Sequence, residues 1–196
     1  MRGGFTFIEV VIVIAIFAVI FTVIASFGEN TTLLSDLINK GLQTEQDLKQ
    51  TFQILVTEIR SMGPSSLGAY SIESAATSSF AFFSDIDEDG IFEKVRYFVG
   101  TSTLEKGVIE PAGNPLVYAT SSETLKTTVN YLLIATSTFE YYDANYTGLE
   151  ASLSEPIDVT KIRIVKVTVT ADVNPGAAPK PATFTNTINM RNLRSN

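Results

Sequence analysis

From Phe5 to Phe27 the chain reads "FTFIEVVIVIAIFAVIFTVIASF", and no other stretch restricts its possible folds so strongly. About 20 apolar residues in a helix cross roughly 30 Å of hydrocarbon, and this run is long enough. It contains no proline. Its many β-branched residues suit a helix in lipid, because a lone segment there satisfies its backbone in no other way. One ionisable side chain, Glu9, lies inside the run. A carboxylate near the centre of a spanning helix costs roughly 2.5–3.5 kcal/mol on insertion scales. A reading of this chain must therefore say what Glu9 is for.

Three readings compete. A secretory signal has a basic start, a shorter apolar stretch and a small-residue cleavage site. Here the apolar stretch is too long, and Glu9 breaks its start. A plain single-pass anchor fits the length and leaves Glu9 unexplained. The third reading rests on "GGFTFIE". Gly4, Phe5, Thr6, Ile8 and Glu9 resemble the type IV prepilin signature, with Phe7 where Leu is commonest. The resemblance implies that a membrane-embedded prepilin peptidase cuts between Gly4 and Phe5 and methylates the new amine of Phe5. It leaves residues 1–4 as a leader, shorter than most, with Arg2 its single positive charge.

Within that reading Glu9 has physical work. The amine created at Phe5 is cationic. Helices bundled in a water-poor filament core would bury both charges, and each is costly without a partner. Pairing Glu9 of one subunit with the Phe5 amine of a neighbour removes both penalties and selects one axial register. In the membrane-stored subunit Glu9 lies near the helix start and snorkels to the headgroups.

Composition narrows the chemistry. The chain has no Cys, His or Trp and a net charge of −7. Disulfides, thiolate metal sites, Cys nucleophiles and the commonest general base are thereby excluded. The acidic balance and the lack of a basic tract argue against a nucleic-acid partner. No paired carboxylates sit in a convincing catalytic frame, so no enzyme is expected.

A second helical pattern follows. Leu34, Ile38, Leu42, Glu45, Leu48, Phe52, Leu55, Val56, Ile59 and Met62 recur at three- and four-residue steps. Asp36, Lys40, Asp47, Lys49 and Glu58 fall off that stripe, and Gly63-Pro64 ends it. The spacing predicts one long helix over 5–62, bent or locally melted near Gly28 to Thr31, whose second half packs on something C-terminal. Two separate helices joined by a turn remain the alternative.

From Ser71 the period changes to two. "SSFAFFSDIDEDGIFEKVRYFVG" reads as a hairpin with Phe80 and Phe82 on one arm and Val95, Tyr97 and Val99 on the other. "TLEKGVIE", "NPLVYA" and "STFEYYDAN" read as strands, and "ETLKTTVNYLLIA" leans to a short helix. "KIRIVKVTVTADV" is the clearest strand, and its phase slip predicts a bulge between Ile164 and Val165. "NPGAAPKP" forms a hairpin tip, and "TFTNTINMRNL" returns with Phe184, Ile188 and Met190 on one face. The expected fold is α+β: a long N-terminal helix whose Leu48, Phe52, Leu55 and Ile59 cover an antiparallel sheet. Its parts are leader 1–4, spanning helix 5–28 and head 29–196, with helix 31–62 and mainly β structure over 70–193.

"FFSDIDEDGIFEKVRYFV", "FEYYDANYTGL", "IRIVKVTVT" and "INMRN" resemble, more loosely, segments of W-type minor pilins and J-type pseudopilins of type II secretion. Asp85, Asp87, Asp89 and Gly90 have the spacing of a calcium loop, with Glu93 a further ligand from the hairpin's second arm. Arg96 stands where a helix-loop-helix calcium site needs Glu, and the flanks read as strands. A solvated acidic turn explains the same residues, and both readings stay open. Tyr141, Tyr142 and Tyr146 suit either a contact surface or a half-buried strand and its turn. "NYT" at Asn145 to Thr147 fits a glycosylation sequon, and the Ser/Thr-rich "TSSETLKTT" offers further acceptors or simply a polar surface. The expected function is a structural subunit of a type IV pilus or type II secretion pseudopilus, minor rather than major. No cofactor is required, with calcium as an option. The expected partners are prepilin peptidase, other pilin or pseudopilin subunits, the inner-membrane assembly machinery and the bilayer. The exported head would end in an extracellular or periplasmic filament. The alternative is a membrane-anchored adhesive or ligand-binding module.

Overall fold

The computed structural model describes residues 4, 6–190 and 193. The chain divides into two compact units, Met1–Lys40 and Gly41–Asn196. A single helix, α1 (Phe7–Arg60), contributes to both. It runs through Gly28 to Thr31 without a break, so the locally melted turn that the sequence allows there does not form. Glycine costs only about 1 kcal/mol in a helix interior, which a helix of this length absorbs. Asn30 and Thr31 therefore lie within the helix instead of capping a new one.

Among the described residues the second unit holds eight strands: β1 (Ile72–Ala76), β2 (Ser79–Ser84), β3 (Glu93–Val99), β4 (Thr103–Ile109), β5 (Thr124–Asn130), β6 (Thr138–Tyr142), β7 (Ile164–Ala171) and β8 (Ala182–Asn189). They form a five-stranded sheet in the order β1-β2-β3-β4-β5 and a three-stranded sheet β6-β7-β8. Every strand pair is antiparallel. The fold is α+β, as the sequence predicts.

The last turns of α1 build the core. Leu48, Phe52, Leu55, Ile59 and Met62 are buried, in one cluster with Phe80, Phe82, Val95 and Tyr97 of the larger sheet. Phe139, Tyr141, Val165 and Val167 of the smaller sheet join the same cluster. Leu34, Ile38 and Leu42, on the same periodic stripe, are exposed. Tyr141 ties the sheets together: its hydroxyl lies within hydrogen-bond reach of the carbonyls of Ala76 (3.0 Å) and Ser79 (2.8 Å). Burial pushes that hydroxyl's pKa well above its ordinary value. Tyr142 is buried too, and its ring meets Tyr146 at 3.9 Å between centroids. The half-buried strand, not a free contact surface, describes this tyrosine group.

β2 is buried on both faces. Phe80 and Phe82 face the core, while Phe83 packs on Tyr118 at 5.1 Å from the segment that follows β4. α1 stops at Arg60, two residues before the sequence predicts. Met62 is already bridged to Ser84, and the amide of Gly63 donates to the Phe83 carbonyl. A Cβ at Gly63 would lie 2.6 Å from the Phe92 ring, so only glycine lets the chain turn there without moving that ring.

Three expectations fail. The segment from Glu123 to Ala135 is not a helix: Thr124–Asn130 is strand β5, and a short 3-10 turn follows at Ile134–Thr136. Its Thr and Val residues suit a strand, and the open edge of β4 supplies the pairing that local propensity does not weigh. "NPLVYA" forms only an isolated bridge, Ala112 to Val117. β7 has no bulge at Ile164; its register with β6 and β8 is unbroken. Ile162 lies before the strand, so its burial is not part of the alternation. The register shifts fall instead in β1, between Ile72 and Ser74, and in β4, between Leu104 and Glu105.

One polar group breaks the expected pattern. Glu58, off the apolar stripe by sequence, is buried. It accepts a hydrogen bond from the Tyr97 hydroxyl at 2.8 Å and forms an ion pair with Lys106. Burial and the Glu58 carboxylate push the Tyr97 hydroxyl pKa far above its usual range.

Candidate functional site

The first site is the start of α1. Thr6 precedes the helix, and Glu9 stands at its third helical position. The Thr6 amide donates to Glu9 Oε2 at 2.8 Å, and the Thr6 hydroxyl donates to the same oxygen at 2.9 Å. In return the Glu9 amide meets Thr6 Oγ1 at 3.4 Å. This reciprocal arrangement is a capping box, which satisfies orphan amides at the helix start. Thr6-Phe7-Ile8-Glu9 carries its sequence signal, Thr followed three residues later by Glu ahead of an apolar run, which the sequence reading did not use. Glu9 thus has a partner within its own chain before any neighbour arrives. Gly4 is exposed; Phe5 and residues 1–3, where the cut, the methylated amine and the rest of the leader are expected, lie outside the described residues.

Beyond the cap, from Val10 to Ile24, the helix surface is apolar but for Thr22. Val10, Ile14, Phe17, Phe21 and Ile24 are among its exposed side chains. A contiguous apolar face of this extent is covered by lipid or by other protein in a working molecule. By length and composition the helix is a candidate membrane span.

A family model, the prokaryotic N-terminal methylation motif, matches residues 1–25. The chain has a type IV pilin-like N-terminus. That motif marks structural proteins and not enzymes, and with the apolar helix it fits an inner-membrane-anchored protein with an exported head. No curated protein matches the chain.

The second site is the β2–β3 loop of the head. Asp85, Asp87 and Asp89 each place a carboxylate oxygen within 4.8 Å of the others. The loop holds them in place through its own backbone. The Gly90 amide donates to Asp85 Oδ2 at 3.0 Å, Asp89 to Asp87 Oδ1 at 3.3 Å, and Ile91 to Asp89 Oδ1 at 2.7 Å. Gly90, at φ +87, makes the sharp bend that a side chain resists. The buried Asp85 Oδ1 lacks a hydrogen-bond partner. Three carboxylates gathered in this way, one of them with an oxygen that lacks a hydrogen-bond partner, are a donor set suited to a hard cation such as calcium.

Glu93 is not part of that cluster. It is buried, and its Oε2 accepts from the Ile86 amide at 2.9 Å, closing the loop from behind. Its pKa is raised, first by burial and then by the negative charges of Asp87 and Asp89. Arg96 is engaged elsewhere, in a two-pronged ion pair with Glu123 at 2.9 Å.

Proposed function

We propose that the protein is a subunit of a type IV pilus or type II secretion pseudopilus, minor rather than major. Prepilin peptidase cuts it between Gly4 and Phe5 and methylates Phe5, and inner-membrane machinery draws it from the bilayer into a filament of pilin or pseudopilin subunits. The observation that carries this is the methylation motif at residues 1–25 opening an exposed apolar run, 5–27, whose one carboxylate is Glu9. Assembly buries that helix surface against neighbours. Apolar burial contributes about 25 cal/mol per Å², so the helix supplies most of the attraction. Glu9 sets register by exchanging its Thr6 donors for a neighbour's Phe5 amine. Mass spectrometry of the native N-terminus tests the reading: a chain beginning at methylated Phe5 is expected, and an intact Met1 in filament-forming cells would overturn it.

In this reading Asp85, Asp87 and Asp89 hold calcium and stiffen the head. Millimolar calcium should raise the melting temperature of the detergent-solubilised chain by several degrees over chelator. A ligand at 100 times its Kd adds about 2.7 kcal/mol, and 1 kcal/mol is worth roughly 2–4 °C at this size. An identical melting temperature in both buffers removes the site. The raised pKa of Glu93 gives a second readout. A carboxyl whose folded pKa lies above its unfolded value loses stability as pH rises through the folded value. Glu93→Gln should therefore melt above the parent chain at pH 7 without metal, and the two should converge below the ordinary carboxylate pKa. A difference that persists in acid would mean that packing, not charge, causes it.

A further inference from the structure

A cavity of about 280 Å³ opens in the head between α1 and the strands β4 and β5. Three features set it apart from an ordinary surface cleft. Lys106 and Lys126 are directly opposed across β4 and β5, and both line it. Glu58 neutralises Lys106, which leaves Lys126 the one of the two without an ion pair among the described residues. The Lys106 ammonium is largely buried and bonded to Glu58, and it carries further N–H donors. The register shift in β4 and β5 leaves Thr128 out of the paired register, with its hydroxyl donating to the Leu104 carbonyl at 2.9 Å, and consecutive residues Thr127 and Thr128 both border the cavity. Bulges of this kind re-aim side chains beside binding sites.

We propose that this cavity binds an acidic sugar, a ring of the hexuronate class within a polysaccharide. The volume suits a single pyranose with room to spare. The Lys126 ammonium, which has no ion pair among the described residues, receives the ring carboxylate, and Lys106, held by Glu58, adds a further N–H donor. Gln50 and Asn130 offer amide groups that both donate and accept, as ring hydroxyls do, and the Thr51 hydroxyl, which donates to the Thr128 carbonyl at 3.3 Å, offers an acceptor. Asp47 on the same wall accepts from a hydroxyl, and its charge disfavours a dianion such as phosphate. The site lies wholly within the head and does not depend on the filament reading.

The test is a calorimetric titration of the full chain, in a detergent without a sugar headgroup, with glucuronate, glucose and inorganic phosphate. Saturable glucuronate binding is expected, with glucose and phosphate at least about tenfold weaker. Lys126→Ala, at an exposed position, should weaken glucuronate by about tenfold or more at a melting temperature no lower than the parent's. Asp47→Asn should improve phosphate relative to glucuronate. Absence of saturable glucuronate binding, equal binding of glucose, or indifference to Lys126→Ala overturns the proposal. Phosphate binding as well as glucuronate in the parent chain reduces the cavity to a simple anion site and overturns it too.

Discussion

Replacing Glu9 by Ala is expected to leave the protein in the membrane and to remove it from filaments. Insertion depends on the apolar run, which the substitution makes more apolar, so membrane yield should hold or rise. Assembly is different. In the proposed filament Glu9 neutralises the Phe5 amine of a neighbour, and breaking a buried pair by removing one partner costs about 3–5 kcal/mol. That is a factor of roughly 10² to 10³ in incorporation, because 1.4 kcal/mol is tenfold. Sheared-filament fractions compared with membrane fractions measure it. The capping box adds a control. Thr6→Ala removes the hydroxyl that donates to Glu9 and leaves the carboxylate free for a neighbour. A lost cap costs only about 1 kcal/mol, so Thr6→Ala should reduce incorporation far less than Glu9→Ala. Equal losses would mean that Glu9 acts as a helix cap and not as a register charge.

The parts of this protein that were legible in its sequence are those governed by local period. The helix from Phe7 to Arg60 follows from apolar spacing, and Gly63-Pro64 marks its end to within two residues. The β2–β3 hairpin follows from alternation around an acidic turn, and the register pairs Phe80 with Tyr97 and Phe82 with Val95. The three aspartates come together because a D-x-D-x-D-G turn sends alternate carboxylates inward. What was not legible depends on partners far along the chain. β5 reads as a helix until β4 offers it an edge. The phase slip in "KIRIVKV" looks like a bulge because sequence does not show that the strand begins at Ile164. Glu58 reads as a surface charge, since nothing near it announces that Tyr97 and Lys106 will meet it from two strands. The cavity above Lys106 is invisible for the same reason: its lining spans α1, β3, β4 and β5.

Glu58 is also where the largest loss of stability is expected. Glu58→Ala leaves the Lys106 ammonium largely buried without its carboxylate and the Tyr97 hydroxyl without its acceptor. Removing one member of a buried ion pair costs about 3–5 kcal/mol, and an orphaned buried hydroxyl adds roughly 1–3 kcal/mol more. At roughly 2–4 °C per kcal/mol, the single variant should melt at least about 8 °C below the parent. The pair itself is a different matter. Taking both charges out of water offsets much of their attraction, so an apolar replacement of similar volume is often neutral or stabilising. Glu58→Leu with Lys106→Met should therefore recover most of the loss, leaving only the unsatisfied Tyr97 hydroxyl, and adding Tyr97→Phe should remove that remainder. The three melting temperatures separate the cost of an orphaned charge from the worth of the ion pair. If the double variant is as unstable as Glu58→Ala, the pair contributes net stability and the desolvation argument fails for this core. If the triple variant matches the parent chain in stability, the network is not required for folding. Its place is then to hold the Lys106 ammonium on the floor of the cavity between α1 and β5.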